Sequence, residues 1–246
     1  MYAKAPHCHY QGLLSSQAQR KLCEHCQVNK LSICGAFAID HAEELAGVTQ
    51  QVQCKAKSTL FMEGDPADYF YTVTTGFMQF SKYLAGGRRQ ILGFLFPGDF
   101  LGLALEDRYS YTAETITDSE ICQFHSSRFE ALMGKYPELE HTLFRAVSNE
   151  LIEVENRMVT LGHQLAEKRL ASFLIWYLTR AAKLELTNPT FELPMTRRDI
   201  ADYLCLSFET VSRAFTKLRE EKLIELDDPH TVRILDNDKL EFLAQD

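Results

Sequence analysis

Nowhere in the 246 residues is there a run of about eighteen apolar side chains, so no transmembrane helix is expected. The first residues, MYAKAPHCHYQGLLSS, lack an apolar core and a small-residue cleavage site. No secretion signal is therefore expected, and a cytoplasmic protein without membrane contact follows. Missing too are a P-loop, a GxSxG elbow, an HExxH pair and a C-x3-C-x2-C run, which argues against an enzyme. A basic excess is also absent. The net charge is −8, so a broadly basic nucleic-acid coat is excluded. An even set of cysteines is lacking: there are seven, which in a reducing compartment do not make a disulfide framework and raise metal or redox chemistry instead. The length allows two modest domains with a real core.

What is present centres on residues 196–220, TRRDIADYLCLSFETVSRAFTKLRE. This stretch predicts two helices and a tight turn. Thr196 with Asp199 can cap the first, and Ser207 the second. On a helical wheel Val211, Ala214, Phe215 and Leu218 share one face, while Glu209, Ser212, Arg213 and Thr216 share the other. A short polar row on the outside of a second helix is what a helix-turn-helix lays in the major groove. Arg can bond guanine bidentately, Glu can accept from cytosine, and Ser is adaptable. Thr196, Arg197 and Lys217 complete the candidate DNA contacts. Residues 196–222 carry six Lys/Arg and five Asp/Glu, a net +1 that leaves −9 elsewhere. DNA binding is therefore local, and affinity should fall steeply with salt. Cys205 is expected on the packed side between the two helices.

Between about 50 and 125 the pattern is short β-type runs: TLFME, YFYTVT, FMQFSKY, QILGFLF, FLGLAL, YTAETIT and SEICQF. Turn signals at Gly64-Asp65, Gly76, Gly86-Gly87 and Pro97-Gly98 divide them at ten to twelve residues, as in an antiparallel sandwich or roll. Asp40 with Glu43 opens a short helix before this region, and Ser127 with Glu130 one after it. Past Pro137 a long helix is expected to about 165. In it Val147, Leu151, Val154, Met158, Leu161 and Leu165 step 4, 3, 4, 3, 4, a heptad seam fit for a dimer helix. A further helix to about 183, a two-proline connector over 184–194, a β wing (KLIEL and TVRIL) and one C-terminal helical turn complete the chain.

Cys23, Cys26 and Cys34 lie as C-x2-C-x7-C, and Cys122, in ICQF, is the best fourth candidate. Four thiolates suit an iron–sulfur cluster or structural zinc, and the spacing alone does not separate them. Cys8 reads as a spare ligand or part of a loose terminal tail, Cys54 as a small structural residue. His25 is not needed as a ligand.

In this order, the Cys-rich segment (1–39), β roll (40–136), dimerisation helix (137–165) and winged helix-turn-helix (166–246) resemble the CRP/FNR family of bacterial transcription regulators. LSFETVSRAF at 206–215 and the four cysteines carry the likeness most specifically, and they resemble the FNR, FnrN and FixK branch. The resemblance implies an α+β chain: an antiparallel, cyclic-nucleotide-binding-like jelly roll, a long dimer helix and a C-terminal winged helix-turn-helix. It implies an oxygen-responsive homodimer in which Cys23, Cys26, Cys34 and Cys122 hold a [4Fe–4S] cluster. Glu209, Ser212 and Arg213 would read a TTGAT-N4-ATCAA-type palindrome in double-stranded DNA, and RNA polymerase would be recruited, with the Leu84–Arg89 turn a candidate contact. Oxygen would degrade the cluster and release the DNA. Two departures stand out. In GDFLGLALEDRYSYTAET, Arg108 is followed by Tyr109 where the cyclic-nucleotide binders carry Arg-Ser, so no cyclic nucleotide is expected. Val154 occupies a seam position that is acidic in enterobacterial FNR. A zinc- or thiol-based redox regulator of the same fold is the alternative.

Overall fold

The computed structural model describes residues 8–10, 21, 23, 25–35, 38–104, 107–162, 165–184 and 190–245. By contact density the chain divides into two units, residues 1–82 with 92–150 and residues 83–91 with 151–246.

The first unit is built on two antiparallel sheets. Strands β1 (Cys8–Tyr10), β2 (Thr49–Cys54), β3 (Thr59–Phe61), β4 (Tyr69–Thr75), β5 (Met78–Tyr83), β6 (Arg89–Leu95), β7 (Phe100–Leu101), β8 (Thr112–Thr115) and β9 (Ser119–His125) form them, the end of β5 at Tyr83 and the start of β6 through Ile91 counting with the second unit. The orders are β1-β2-β9-β4-β7 and β3-β8-β5-β6. Alternation sends Val52, Tyr71, Val73 and Ile121 from one sheet, and Phe61, Met78, Ala113 and Leu95 from the other, into a shared core. This is the roll the turn rhythm predicts. The turn at Gly76 shows why the punctuation falls where it does. Its φ is +81°, and a Cβ there would stand 2.4 Å from the Asp118 carbonyl oxygen, so only glycine fits without displacing backbone.

The five-stranded sheet has a second covered face. Helices α1 (Ala38–Val48) and α2 (Ser126–Lys135) and the start of α3 (Pro137–Gly162) supply Leu45, Phe129, Leu132 and Leu139, which pack with Phe70 and Phe124. Helix α2 begins at Ser126 rather than being capped by Ser127: its N-cap is His125, without a side-chain cap. The Ser126 hydroxyl instead donates to the Ala67 carbonyl at 3.0 Å.

Helix α3 starts in the first unit and continues into the second. Its described residues run to Gly162, and Leu165 is the extended N-cap of α4 (Ala166–Ala182). The expected seam is thus one step shorter than the heptad count, because Leu165 does not share the helix of Val147, Leu151, Val154, Met158 and Leu161. Strand β10 (Thr190–Glu192), helices α5 (Arg197–Leu204) and α6 (Phe208–Glu220), strands β11 (Ile224–Leu226) and β12 (Thr231–Ile234), and α7 (Asn237–Gln245) follow. The wing has three strands, ordered β10-β12-β11, not two. Its third comes from the expected connector, where Phe191 pairs with Val232; residues 185–189 of that connector lie outside the described residues. The C-terminal stretch is a nine-residue helix rather than one turn, with Leu240 buried and the Ala244 carbonyl accepting from Ser172 of α4 at 3.3 Å.

Candidate DNA interface and cysteine-lined cavity

Helix α5 opens on a capping box. Thr196 Oγ1 accepts from the Asp199 amide at 3.2 Å, and Asp199 accepts from the Thr196 amide at 2.9 Å. Two of the donors orphaned at the helix start are satisfied this way. The helix ends at Cys205, whose φ of 56° is left-handed. This turns the chain into Ser207, which caps α6 by accepting from the Thr210 amide at 3.1 Å. Cys205 is exposed, not packed, because the left-handed turn carries it out from between the helices. Thr196→Ala is expected to lower stability by about 1 kcal/mol, measured by urea unfolding of the full chain.

Val211, Ala214, Phe215 and Leu218 of α6 are all buried, as the wheel predicts. Burial of the larger of these side chains contributes about 1.5–3 kcal/mol each, which fixes the rotation of the helix. Glu209 and Arg213 are thereby exposed and Ser212 half-buried. A shallow groove follows Ser212, Arg213, Thr216, Lys217 and Glu220. Arg213 is exposed and makes a long, 3.5 Å contact to Thr210 Oγ1, so its guanidinium is available to a base edge. The Glu209 carboxyl is held below its ordinary range by its own backbone amide, then by Ser207, Arg198 and Arg213, so it stays an acceptor.

The remaining candidates are engaged within the protein. The Thr196 hydroxyl serves the cap. Arg197 is half-buried with its guanidinium 4.6 Å over the Phe215 ring, which positions α6 more than it reaches outward. Lys217 pairs with Glu167 of α4. Sequence reasoning left out Arg198 and Arg219, both exposed; their signal was their offset from the buried rows. It also missed Arg157. This side chain lies 4.2 Å from the Tyr203 ring centre and donates to the Ile91 and Tyr203 carbonyls at 2.7 and 3.2 Å. Within the same unit Arg89 pairs with Asp199 and with Asp202, the latter at 2.9 Å.

The second candidate site lies on the helix-covered face of the five-stranded sheet. Cys122 stands mid-strand in β9, opposite Gln51 of β2 and Thr72 of β4. Cys23, Cys26 and Cys34 come from a loop around the short 3-10 turn Asn29–Leu31. Asn29 Nδ2 donates to the Cys23 carbonyl at 3.2 Å, and buried Val28 and Ile33 anchor the loop. All four cysteines line one cavity of about 260 Å³, with Thr72 and Glu120 on its sheet side. His25 is also on its wall but is exposed, its Nδ1 2.9 Å from the Lys21 carbonyl. Burial pushes the Cys34 thiol up to about 12 and the Cys122 thiol well above its ordinary value, with the other cysteines adding to both shifts. Any metal held here would have to displace those protons.

Among the described residues no three His, Cys, Asp or Glu side chains stand close enough to share a single metal ion. Four cysteines on one cavity wall are a donor set of the kind that an iron–sulfur cluster or structural zinc takes. The Thr72 hydroxyl adds to the fit. Its oxygen is buried without a hydrogen-bond partner in the protein, and a cluster sulfide or thiolate would accept from it.

Cys8 is neither a ligand to this cavity nor part of a loose tail. It pairs across β1 and β2 with Cys54, to which it is disulfide-bonded. The seven cysteines therefore include one bridge and five free thiols.

Comparison with known proteins decides the family. The cyclic nucleotide-binding domain family matches residues 51–136, and the Crp-like helix-turn-helix domain family residues 168–243. The transcriptional activatory protein AadR of Rhodopseudomonas palustris is 41% identical over 223 residues, 90% of this chain and 93% of the relative. The chain belongs to the CRP/FNR family, in its FixK-type branch. The nitrogen fixation regulation protein FixK of Bradyrhizobium diazoefficiens is 35% identical over 90% of this CRP/FNR chain and 93% of its own. The solved structure of FixK2 from Bradyrhizobium japonicum superposes with a TM-score of 0.75 at 32% identity, covering 81% of this chain and 98% of that one. As a CRP/FNR protein the chain is a transcription regulator with a DNA-binding helix-turn-helix. No helix among the described residues is long and apolar enough to cross a membrane.

Proposed function

We propose that this CRP/FNR regulator is a cytoplasmic homodimer that responds to oxygen through a [4Fe–4S] cluster held by Cys23, Cys26, Cys34 and Cys122. In low oxygen it binds a TTGAT-N4-ATCAA-type palindrome and controls genes of anaerobic or microaerobic life, with RNA polymerase as partner. The observation that carries the reading is the opening of Cys122, from the middle of a strand, into the same cavity as the three N-terminal cysteines. When bound, such a cluster supplies iron and sulfide that dioxygen oxidises.

The chain's own residues do the rest. Cys23, Cys26 and Cys34, sharing a cluster with Cys122, would add to the hold that buried Val28 and Ile33 give the N-terminal loop on the sheet. Cys34 and Cys122 pack against the cluster that contains Phe124, Phe129 and Leu139, and Leu143 and Ala146 of α3 pack on it as well. Loosening the loop thus alters support for the helix that carries the dimer stripe, a packed route between cavity and seam. On that stripe Val147, Leu151, Val154 and Met158 are exposed, the last at 68%, an apolar row that a second copy would cover. Two copies present two α6 helices, as a palindrome requires. The exposed hairpin tip around Leu84–Arg88 is free to meet polymerase. The Tyr109 ring, which follows Arg108, stacks on Phe61 at 3.7 Å between centres, and the reading needs no cyclic nucleotide.

The test is DNA binding to that palindrome measured without oxygen and again after air. Tight binding lost on aeration supports the proposal. Binding indifferent to air, by a colourless protein carrying stoichiometric zinc, would instead favour the zinc-based regulator. Val154 removes a like-charge repulsion that an acidic side chain would bring to the seam. Metal-free protein is therefore expected to keep a dimer fraction at micromolar concentration in sedimentation velocity. Val154→Glu should shift it to monomer; monomer alone in the unaltered chain would refute this.

A further inference from the structure

The cluster reading leaves Cys8 and Cys54 without a role. They lie on the opposite face of the five-stranded sheet from Cys122. Cys8 and Cys54 join the inner core with Val52 and Ile121, whereas Cys122 packs on the helix-covered side with Phe70 and Phe124. The alternation of a strand imposes this separation, since Cys54 and the Gln51 that faces Cys122 are three residues apart on β2. Neither sulfur can therefore reach the cavity. They do reach each other. Cys8 and Cys54 are register partners in an antiparallel pair, with Cα atoms 4.1 Å apart, well inside the span of about 7 Å beyond which two cysteines cannot be bridged. The strand that carries Cys8 is the edge of its sheet, the position from which a strand can lift. The two cysteines are 46 positions apart, and the loop they close contains Cys23, Cys26 and Cys34.

We infer that Cys8 and Cys54 form a dithiol–disulfide site of their own, addressed by low-molecular-weight disulfides. It staples the loop with the three N-terminal cysteines to the roll. The thiolate of one cysteine attacks the external disulfide, making a mixed disulfide and releasing one small thiol. The second cysteine then displaces the other small thiol and closes the bridge. The two protein thiols give up two protons and two electrons, and the external disulfide leaves as two thiols. Both sulfurs are buried, with residue exposures of 5% and 3%, so exchange proceeds while β1 is lifted and is slower than at exposed Cys205. The site does not depend on the cluster, and its chemistry is the kind found where disulfides serve sensing more than framework.

The test uses the full chain, reduced and handled without oxygen, then treated with oxidised glutathione, alkylated and cleaved after Lys, Arg and Glu. Cleavage at Glu43 and Glu44 separates Cys54 from Cys34, and cleavage at Arg20 and Lys21 separates Cys8 from Cys23. Mass spectrometry is expected to find the Cys8 and Cys54 peptides joined, lighter by two hydrogens than the free pair, separated by reductant, and lost in Cys8→Ser. Cys54→Ser tests the same bond, and if it misfolds the edge-strand variant suffices. Alkylation of both cysteines after the oxidant, a link from Cys8 to any other cysteine, or arrest at the glutathione adduct would overturn the inference. Iron and sulfide assayed on the same samples keep it apart from the cluster: iron-free protein that still forms the bridge sinks only the cluster reading, and iron-loaded protein that does not form it sinks only this one.

Discussion

Arg213→Ala is expected to abolish sequence-specific DNA binding while leaving the fold and any metal content unchanged. Arg213 is exposed at the centre of the outward row of α6, with a long contact to Thr210 and the Glu209 carboxyl nearby. Nothing in the core depends on it, in contrast to Arg197, which lies over Phe215. A bidentate contact to guanine is worth about 1–3 kcal/mol of discrimination. The proposed homodimer would lose it twice, so the operator should become hardly distinguishable from random DNA. Lys217→Ala should differ in kind. Lys217 is paired with Glu167, so its charge is already answered within the protein, and its loss should leave both operator preference and salt dependence nearly unchanged. Titrations of operator and scrambled duplex at two salt concentrations check both. Unchanged operator preference in Arg213→Ala would mean that the base-reading residues are misassigned.

Cys122→Ser is expected to abolish iron retention and to leave DNA affinity without oxygen at the level of the aerated unaltered chain. Cys122 is the only one of the four cavity cysteines contributed by the sheet. Without it the loop carrying the other three has no covalent tie to the roll through a shared ligand. The strand itself should survive, because the main-chain pairing to β2 and β4 does not involve the sulfur and a hydroxyl facing Thr72 and Gln51 can find partners. Unchanged far-ultraviolet dichroism alongside lost visible absorbance is the expected pattern. Cys26→Ser, on the half-buried loop, provides the same test away from the sheet. A switch of this type needs a differential stability of only a few kcal/mol, so a single lost ligand is enough to set it.

Much of this was legible in the sequence where local chemistry and long-range packing agree. Thr196 and Ser207 cap in the structure as their types and spacing predict, and the buried row of α6 is the apolar row of the wheel. The roll declared itself through Gly64, Gly76, Gly87 and Gly98, all with positive φ. Strand β1 was not legible: three residues, Cys8–Tyr10, carry no alternation, and only the partner β2 makes them a strand. The same applies to β10, whose Phe191 is buried by the wing. Leu165 satisfied the heptad count, but a period cannot see where a helix stops, and Leu165 is extended at the start of the next one. Cys205 was misplaced because a left-handed residue reverses the direction its side chain takes. The cavity lay between these extremes. Spacing brought Cys23, Cys26 and Cys34 together, while the choice of Cys122 depended on a strand orientation that only the fold fixes.

The proposed cluster gathers four sulfurs on one face of the sheet around iron and sulfide. Its most direct test is the visible spectrum of the protein purified without oxygen, with iron and acid-labile sulfide counted per chain, repeated after air. The account predicts a brown protein with about four iron and four sulfide per chain, bleaching and losing iron as operator binding falls. A colourless protein without sulfide that binds the operator equally well with and without air would contradict it.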